Sequence, residues 1–84
     1  MFLHVVSVEY LENYQLRLTF NNDEVRFVDL SQELHGEIFE PLQDTEFFKQ
    51  VVINPETNTI EWPNGADFAP EFLFETSQAI QKSA

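Results

Sequence analysis

The alternation that decides the fold lies in YQLRLTF, residues 14–20. Every second residue is apolar, and polar side chains occupy the positions between them. Because successive side chains of a β-strand point to opposite faces of the sheet, this pattern predicts a strand with one buried face. The residues expected in the core are Tyr14, Leu16, Leu18 and Phe20.

The segments on either side also predict strands. One is HVVSVEY, residues 4–10, and the other is VRFVDL, residues 25–30. The linking residues LEN and NNDE are typical of tight turns, because Asn and Asp tolerate a left-handed backbone. Three strands joined by short turns predict an antiparallel meander. We expect one face of the first strand to carry His4, Val6, Val8 and Tyr10, and we expect Phe27 in the core.

The middle of the chain predicts shorter elements. Ser31 is expected to cap a short helical turn that ends at Gly36, and Asp44 is expected to cap a short helix in TEFFKQ. Two further short strands are predicted in VVI and TIEW, joined by NPETN as a hairpin loop. The side chains expected to be buried here are Ile38, Phe39 and Leu42.

The C-terminal segment predicts a helix over about 70–82. Pro70 suits the first helical position, where its missing N–H costs nothing. Glu71 near the start and Lys82 near the end suit the helix dipole. A modest apolar stripe is expected from Phe72, Thr76, Ala79 and Ile80.

These elements together predict an α+β fold. We expect an antiparallel β-meander of about five short strands, with short helices and a C-terminal helix. The 84 residues suit a single domain, 1–84. Apolar residues make up 43% of the chain and nine are phenylalanine, which is enough to predict a packed core.

The charge of the chain restricts its partners. Fifteen acids face four bases, which gives a formal net charge of −11. Such a surface repels phosphate, so we expect neither direct nucleic-acid binding nor association with an anionic membrane. A basic protein would be attracted, although acidity also serves solubility alone. Because the start of the chain is not a signal peptide, we expect a cytoplasmic protein.

Residues for catalysis or metal binding form no recognisable motif. The chain has no cysteine, and neither His4 nor His35 lies in a nucleophile motif. The neighbours His35 and Glu37 do not have the spacing of a metal site. Only two glycines are present, so no phosphate-binding loop can be written. We therefore expect no catalytic residues, no metal and no cofactor.

The most distinctive segment is WPNGADFAPE, residues 62–71. Its first four residues suit a type I turn, and Asp67 is expected to accept hydrogen bonds from free amides of the turn or of the helix start. Turn chemistry therefore explains the segment without a function. As a binding site it would consist of Trp62, Asn64, Asp67 and Glu71, with tryptophan as the anchor, unless the indole is buried against the meander.

This segment, with VDL, FEPL and FFKQV in matching order, resembles a bacterial family of unknown function, domain-of-unknown-function family twenty-four forty-two. The resemblance covers roughly residues 4–75. It implies a small α+β domain with no established activity and no catalytic residues. Some members carry an added helix-turn-helix domain, and others stand beside a gene for a second small protein, family forty-one sixty, which resembles a toxin–antitoxin arrangement. This chain shows no helix-turn-helix, so we expect a stand-alone, partner-binding member.

Three functions remain open on the sequence. The first is a non-catalytic protein-interaction domain, antitoxin-like or regulatory, that binds a small basic protein. The second is an acidic mimic of nucleic acid that blocks a nucleic-acid-binding protein. The third is a small enzyme or ligand-binding domain. An unpaired edge strand would also permit a homo-oligomer.

Overall fold

The computed structural model describes residues 2–79 and has the expected α+β architecture. Within these residues, six strands form two antiparallel sheets, one of four strands in the order β1-β2-β3-β6 and one of two strands, β4 and β5. The strands are β1 (Val5–Tyr10), β2 (Gln15–Phe20), β3 (Val25–Asp29), β4 (Val52–Asn54), β5 (Thr59–Glu61) and β6 (Gln78–Ala79). The helices are α1 (Thr45–Phe48), α2 (Pro70–Thr76) and a 3₁₀ turn over Glu40–Gln43.

The alternation in β2 has the predicted consequence. Leu16, Leu18 and Phe20 are completely buried, and Tyr14 just before the strand is half-buried. Both helices pack on this face. The ring of Phe20 meets Phe74 of α2 edge-on at 5.1 Å, and the ring of Tyr14 meets Phe48 of α1 at 5.4 Å.

The expected face of β1 is wrong at its first residues. The pairing with β2 shifts between Val5 and Ser7, which is a β-bulge. An extra residue in a strand reverses the alternation on one side of it. Val5 is therefore buried and Val6 is exposed, whereas Val8 and Tyr10 pack against the core as the sequence suggested.

The expected burial of Phe27 is also wrong. In the register of β2 and β3, Val28 lies opposite Leu16, and Phe27 lies opposite the exposed Arg17. Val28 therefore enters the core, and Phe27 lies on the other face with 39% of its surface exposed. An antiparallel sheet can leave one face in water, and the sequence of β3 does not reveal which face that is.

The C-terminal helix is shorter than expected. It ends at Thr76 rather than near residue 82, and Gln78–Ala79 instead pair with β3. The guanidinium of Arg26 explains this end, because its Nε donates to Ser77 Oγ at 2.7 Å and its Nη2 donates to the Ser77 carbonyl at 3.0 Å. Ala79 thus belongs to a strand, and the predicted positions of Ile80 and Lys82 lie outside the described residues.

The segment after β3 forms a turn and not the expected helical turn. Among residues 2–79 the Ser31 hydroxyl caps no amide; the carboxylate of Asp29 instead accepts from the Ser31 N–H at 2.9 Å. Further along, Leu42 is buried and Phe39 is half-buried as expected, but Ile38 is 47% exposed.

Several local predictions are confirmed. Asp44 caps α1 by accepting from the Glu46 N–H at 3.0 Å. Asn58 has φ 62° and turns the hairpin between β4 and β5. Pro70 occupies the first turn of α2. Over residues 2–79, no helix combines the length and apolar character needed to cross a membrane.

Candidate functional site

The segment after β5 forms the turn that its sequence predicts. The Gly65 N–H donates to the Trp62 carbonyl at 2.9 Å, and the Trp62 N–H donates to the Ala66 carbonyl at 2.9 Å. Gly65 has φ +88°, a conformation that L side chains rarely adopt, so glycine is required by the backbone here. The loop from 62 to 66 is therefore fixed by its own hydrogen bonds.

Trp62 belongs to the core. It is 1% exposed, and its indole Nε1 donates to the Phe48 carbonyl at 2.8 Å. The alternative that buries the tryptophan therefore describes the structure, and its ring cannot contact a partner at the surface. Its contribution to a binding site is indirect: the buried indole anchors the loop from 62 to 66 to the core.

Asn64 is exposed but already bonded through both side-chain atoms. Its Oδ1 accepts from the Ala66 N–H at 3.1 Å, and its Nδ2 donates to the Ile38 carbonyl at 2.9 Å. The first bond closes the turn, and the second joins it to the turn that contains Ile38. Asn64 therefore positions two surface loops against each other.

Three half-buried aromatic rings strengthen this junction, and we call them the aromatic column: Phe39, Phe68 and Phe72. The rings of Phe39 and Phe68 stack at 4.8 Å, and those of Phe68 and Phe72 stack at 5.4 Å. Stacked rings of this kind add specific attraction to their buried area. The column therefore brings together the 36–40 turn, the loop before α2 and the first turn of α2.

Exposed carboxylates flank this column along the chain, and we call them the acidic rim: Glu37, Glu40, Asp67 and Glu71. The carboxylate of Asp67 does not accept the expected hydrogen bond at the start of α2, because the N-cap of α2 is Ala69 and no side chain caps this end. Within the part of the chain that is described, no hydrogen bond or ion pair uses the side chain of Asp67 or of Glu71. Their charges face solvent.

The sequence predicted Asp67, Glu71 and Asn64 for this surface but missed Ile38. A large apolar side chain in the middle of the chain looked like a core residue. The turn that contains Ile38 is held through its carbonyl by Asn64, which is 26 residues away in the sequence. The only sequence signal for it is the pattern Glu37-Ile38, an apolar residue directly beside an acid in a glycine-containing turn.

The groups available for chemistry are dispersed. His35 is exposed and His4 is half-buried at the start of the sheet. Over residues 2–79, no three acidic or histidine side chains gather as metal ligands would. The hydrogen bond and charge of Glu46 raise the pKa of Lys49, so this amine stays protonated and is a poor general base.

One family model matches most of the chain, from residue 5 to residue 79, and its description is Protein of unknown function (DUF2442). The chain belongs to the DUF2442 family. This is the family that the residues resemble. No curated protein and no solved structure matches the chain. Membership in DUF2442 therefore assigns no activity to the chain.

Proposed function

We propose that this DUF2442 protein is a cytoplasmic, non-catalytic interaction domain that binds a basic protein partner. The contact surface consists of Ile38 and the acidic rim, supported by the aromatic column. The observation that carries the proposal is Ile38, a large apolar side chain that is 47% exposed on a loop fixed by Asn64. An apolar centre with a charged edge has the composition of a protein interface.

The charge of the rim is uncompensated among residues 2–79. Three bases lie in this range, and each is paired with an acid outside the rim: Arg17 with Glu9, Arg26 with Glu24 and Lys49 with Glu46. Complementary charge accelerates association and suppresses wrong partners. A lysine- or arginine-rich partner is thus the class that this surface favours.

The antitoxin-like role is the specific form of this proposal. A small basic protein, encoded beside the domain as in the relatives that the sequence resembles, would be covered by the rim and kept inactive. The fixed loops support such a role, because a preformed surface loses little freedom on binding.

The test is a pull-down of the tagged protein from its native lysate at low and high salt. The variant Asp67→Asn/Glu71→Gln removes two rim charges without changing side-chain volume. The matched control Glu12→Gln/Glu56→Gln removes two charges from other exposed positions. We expect wild type and control to retain one stoichiometric basic protein at low salt, and the rim variant to lose it.

Equal capture by the rim variant and the control would refute this surface. Loss of capture in both variants would mean that total charge, and not the rim, attracts the partner. If the captured protein is displaced by double-stranded DNA, the domain acts as a nucleic-acid mimic.

A further inference from the structure

The turn before α2 contains the dipeptide Asn64-Gly65, and both of its residues are exposed to water. An asparagine side chain is attacked most readily by the next backbone nitrogen when that residue is glycine, because glycine has no Cβ to hinder the approach. Asn64 is the one asparagine of the chain that glycine follows. The residues that follow the other asparagines are Tyr14, Asn22, Asp23, Pro55 and Thr59.

The reaction that this dipeptide favours needs only the chain and water. The Gly65 nitrogen loses its proton and forms a bond to Cγ of Asn64, and the bond from Cγ to Nδ2 breaks, so that ammonia leaves. The resulting cyclic imide takes up one water molecule, which breaks one of the two bonds between its carbonyl carbons and its nitrogen. The product is aspartate or isoaspartate, with a carboxylate in place of the neutral amide.

Three hydrogen bonds restrain the reacting groups in the closed turn. The Gly65 N–H, whose nitrogen is the nucleophile, donates to the Trp62 carbonyl at 2.9 Å. The Asn64 Oδ1 accepts from the Ala66 N–H at 3.1 Å. The Asn64 Nδ2, which is the leaving group, donates to the Ile38 carbonyl at 2.9 Å. Attack requires a free nitrogen and a side-chain amide that can rotate towards it, so the reaction has to wait until the turn opens.

The bond to Ile38 is the restraint that comes from outside the loop. The turn at 36–40 is held against the loop by this bond and by the stacking of Phe39 on Phe68 at 4.8 Å. Asn64 and Ile38 are both exposed, whereas Trp62 at the base of the loop is buried. Exposed turns open locally at a lower free energy than the whole domain. Separation of the two turns therefore releases Nδ2 while the core stays packed.

We propose that Asn64 is a self-modification site, which becomes aspartate or isoaspartate at a rate set by the contact between the two turns. The product has no N–H to donate to the Ile38 carbonyl, so the turns lose the hydrogen bond that joins them. It also adds a negative charge to the loop that leads to Asp67 of the acidic rim. The chemical step does not depend on the proposed function, whereas its effect on partner binding rests on it.

The experiment follows the full chain by mass spectrometry during incubation at mildly alkaline pH, with protease digestion to locate the modified residue. The synthetic peptide of residues 60–71 gives the rate without the fold. We expect the acid at Asn64 before any other asparagine. The folded chain should react about tenfold or more slowly than the peptide, because only its open fraction reacts. Equal rates in the two, or a peptide that reacts while the folded chain yields no product, would overturn the proposal.

Two variants test the contact between the turns. Phe39→Leu removes the stack that holds the 36–40 turn and should accelerate the reaction severalfold. The matched control Phe72→Leu removes the stack of Phe68 on the α2 side, at 5.4 Å, and should accelerate it much less. Urea unfolding checks that both variants remain folded. Equal acceleration would mean that overall stability sets the rate, which would overturn the role of the contact.

Asn64→Asp supplies the modified chain directly. Its backbone amide shifts in NMR spectra should differ from those of the wild type at residues 36–40, because the hydrogen bond to Ile38 is lost. Unchanged shifts there would overturn the proposed separation of the turns. None of these measurements uses a partner, so a pull-down that captures nothing would count against the proposed function alone.

Discussion

The indole of Trp62 joins the end of β5 to the end of α1. Its Nε1 donates to the Phe48 carbonyl at 2.8 Å, and the two rings pack at 5.4 Å. Both side chains are essentially inaccessible to water. The backbone N–H and carbonyl of Trp62 also form the hydrogen bonds that close the turn at 63–65. A core contact therefore determines the position of this surface loop.

Trp62→Phe should reduce the free energy of unfolding by about 2–3 kcal/mol, because it leaves the Phe48 carbonyl without its donor and opens a small cavity. The measurement is urea unfolding followed by far-ultraviolet circular dichroism, which reports mainly on the backbone and not on tryptophan emission. Phe2→Leu is the control, since Phe2 is 84% exposed, and it should change stability by less than about 0.5 kcal/mol. Equal effects of the two substitutions would contradict a structural role for Trp62.

Arg26 and Arg17 lie on the same sheet but should differ in importance. Arg26 donates twice to Ser77 and lies 4.0 Å over the ring of Phe74, whereas Arg17 makes one exposed ion pair with Glu9. Arg26→Lys should cost about 1–2 kcal/mol, because a lysine cannot reproduce the fork of donors or the stacking. Arg17→Lys should cost less than about 0.5 kcal/mol. Urea unfolding of both variants gives the comparison, and similar costs would rule out a special role for Arg26.

The contact of Arg26 with Ser77 also shows why part of the fold could not be predicted from the sequence. The alternation in β2, the Asp44 cap and the Pro70 helix start depend on neighbouring residues, and these predictions are confirmed. The end of α2 depends on the contact of Ser77 with Arg26, which is 51 residues away in the sequence. The local sequence pattern does not indicate this contact. The faces of Val6 and Phe27 likewise depend on a bulge and on strand register, which pairing decides.

The candidate site divides in the same way. Its turn could be predicted from Pro63 and Gly65, since proline and a positive φ at glycine are local requirements. The exposure of Ile38 could not, because its turn is held by a partner 26 residues away, Asn64, and the local pattern does not show this contact. The burial of Trp62 was an open alternative, since tryptophan is common both in cores and at interface centres.

Gly65→Ala should destabilise the protein by about 1–2 kcal/mol through backbone strain alone. A Cβ at this position would meet nothing within 4 Å, so no steric clash contributes. Asn58→Gly is the control in the opposite direction, because residue 58 also has a positive φ, at 62°. Glycine there should leave the stability of the protein unchanged or raise it slightly. Thermal unfolding of the two variants measures this. A harmless Gly65→Ala would show that the turn can change its conformation.

Salt should stabilise this protein, because its acids repel one another across the whole molecule. At 0.01 M ionic strength the Debye length is about 30 Å, and at 0.15 M it is about 8 Å. The radius of gyration is 12.3 Å, so only the lower salt lets distant carboxylates interact. We expect the melting temperature to rise by a few degrees between these two NaCl concentrations, and the rise to be smaller in Glu12→Gln/Glu56→Gln, which carries two fewer charges. A melting temperature that falls with NaCl would mean that attraction within the three ion pairs outweighs the repulsion.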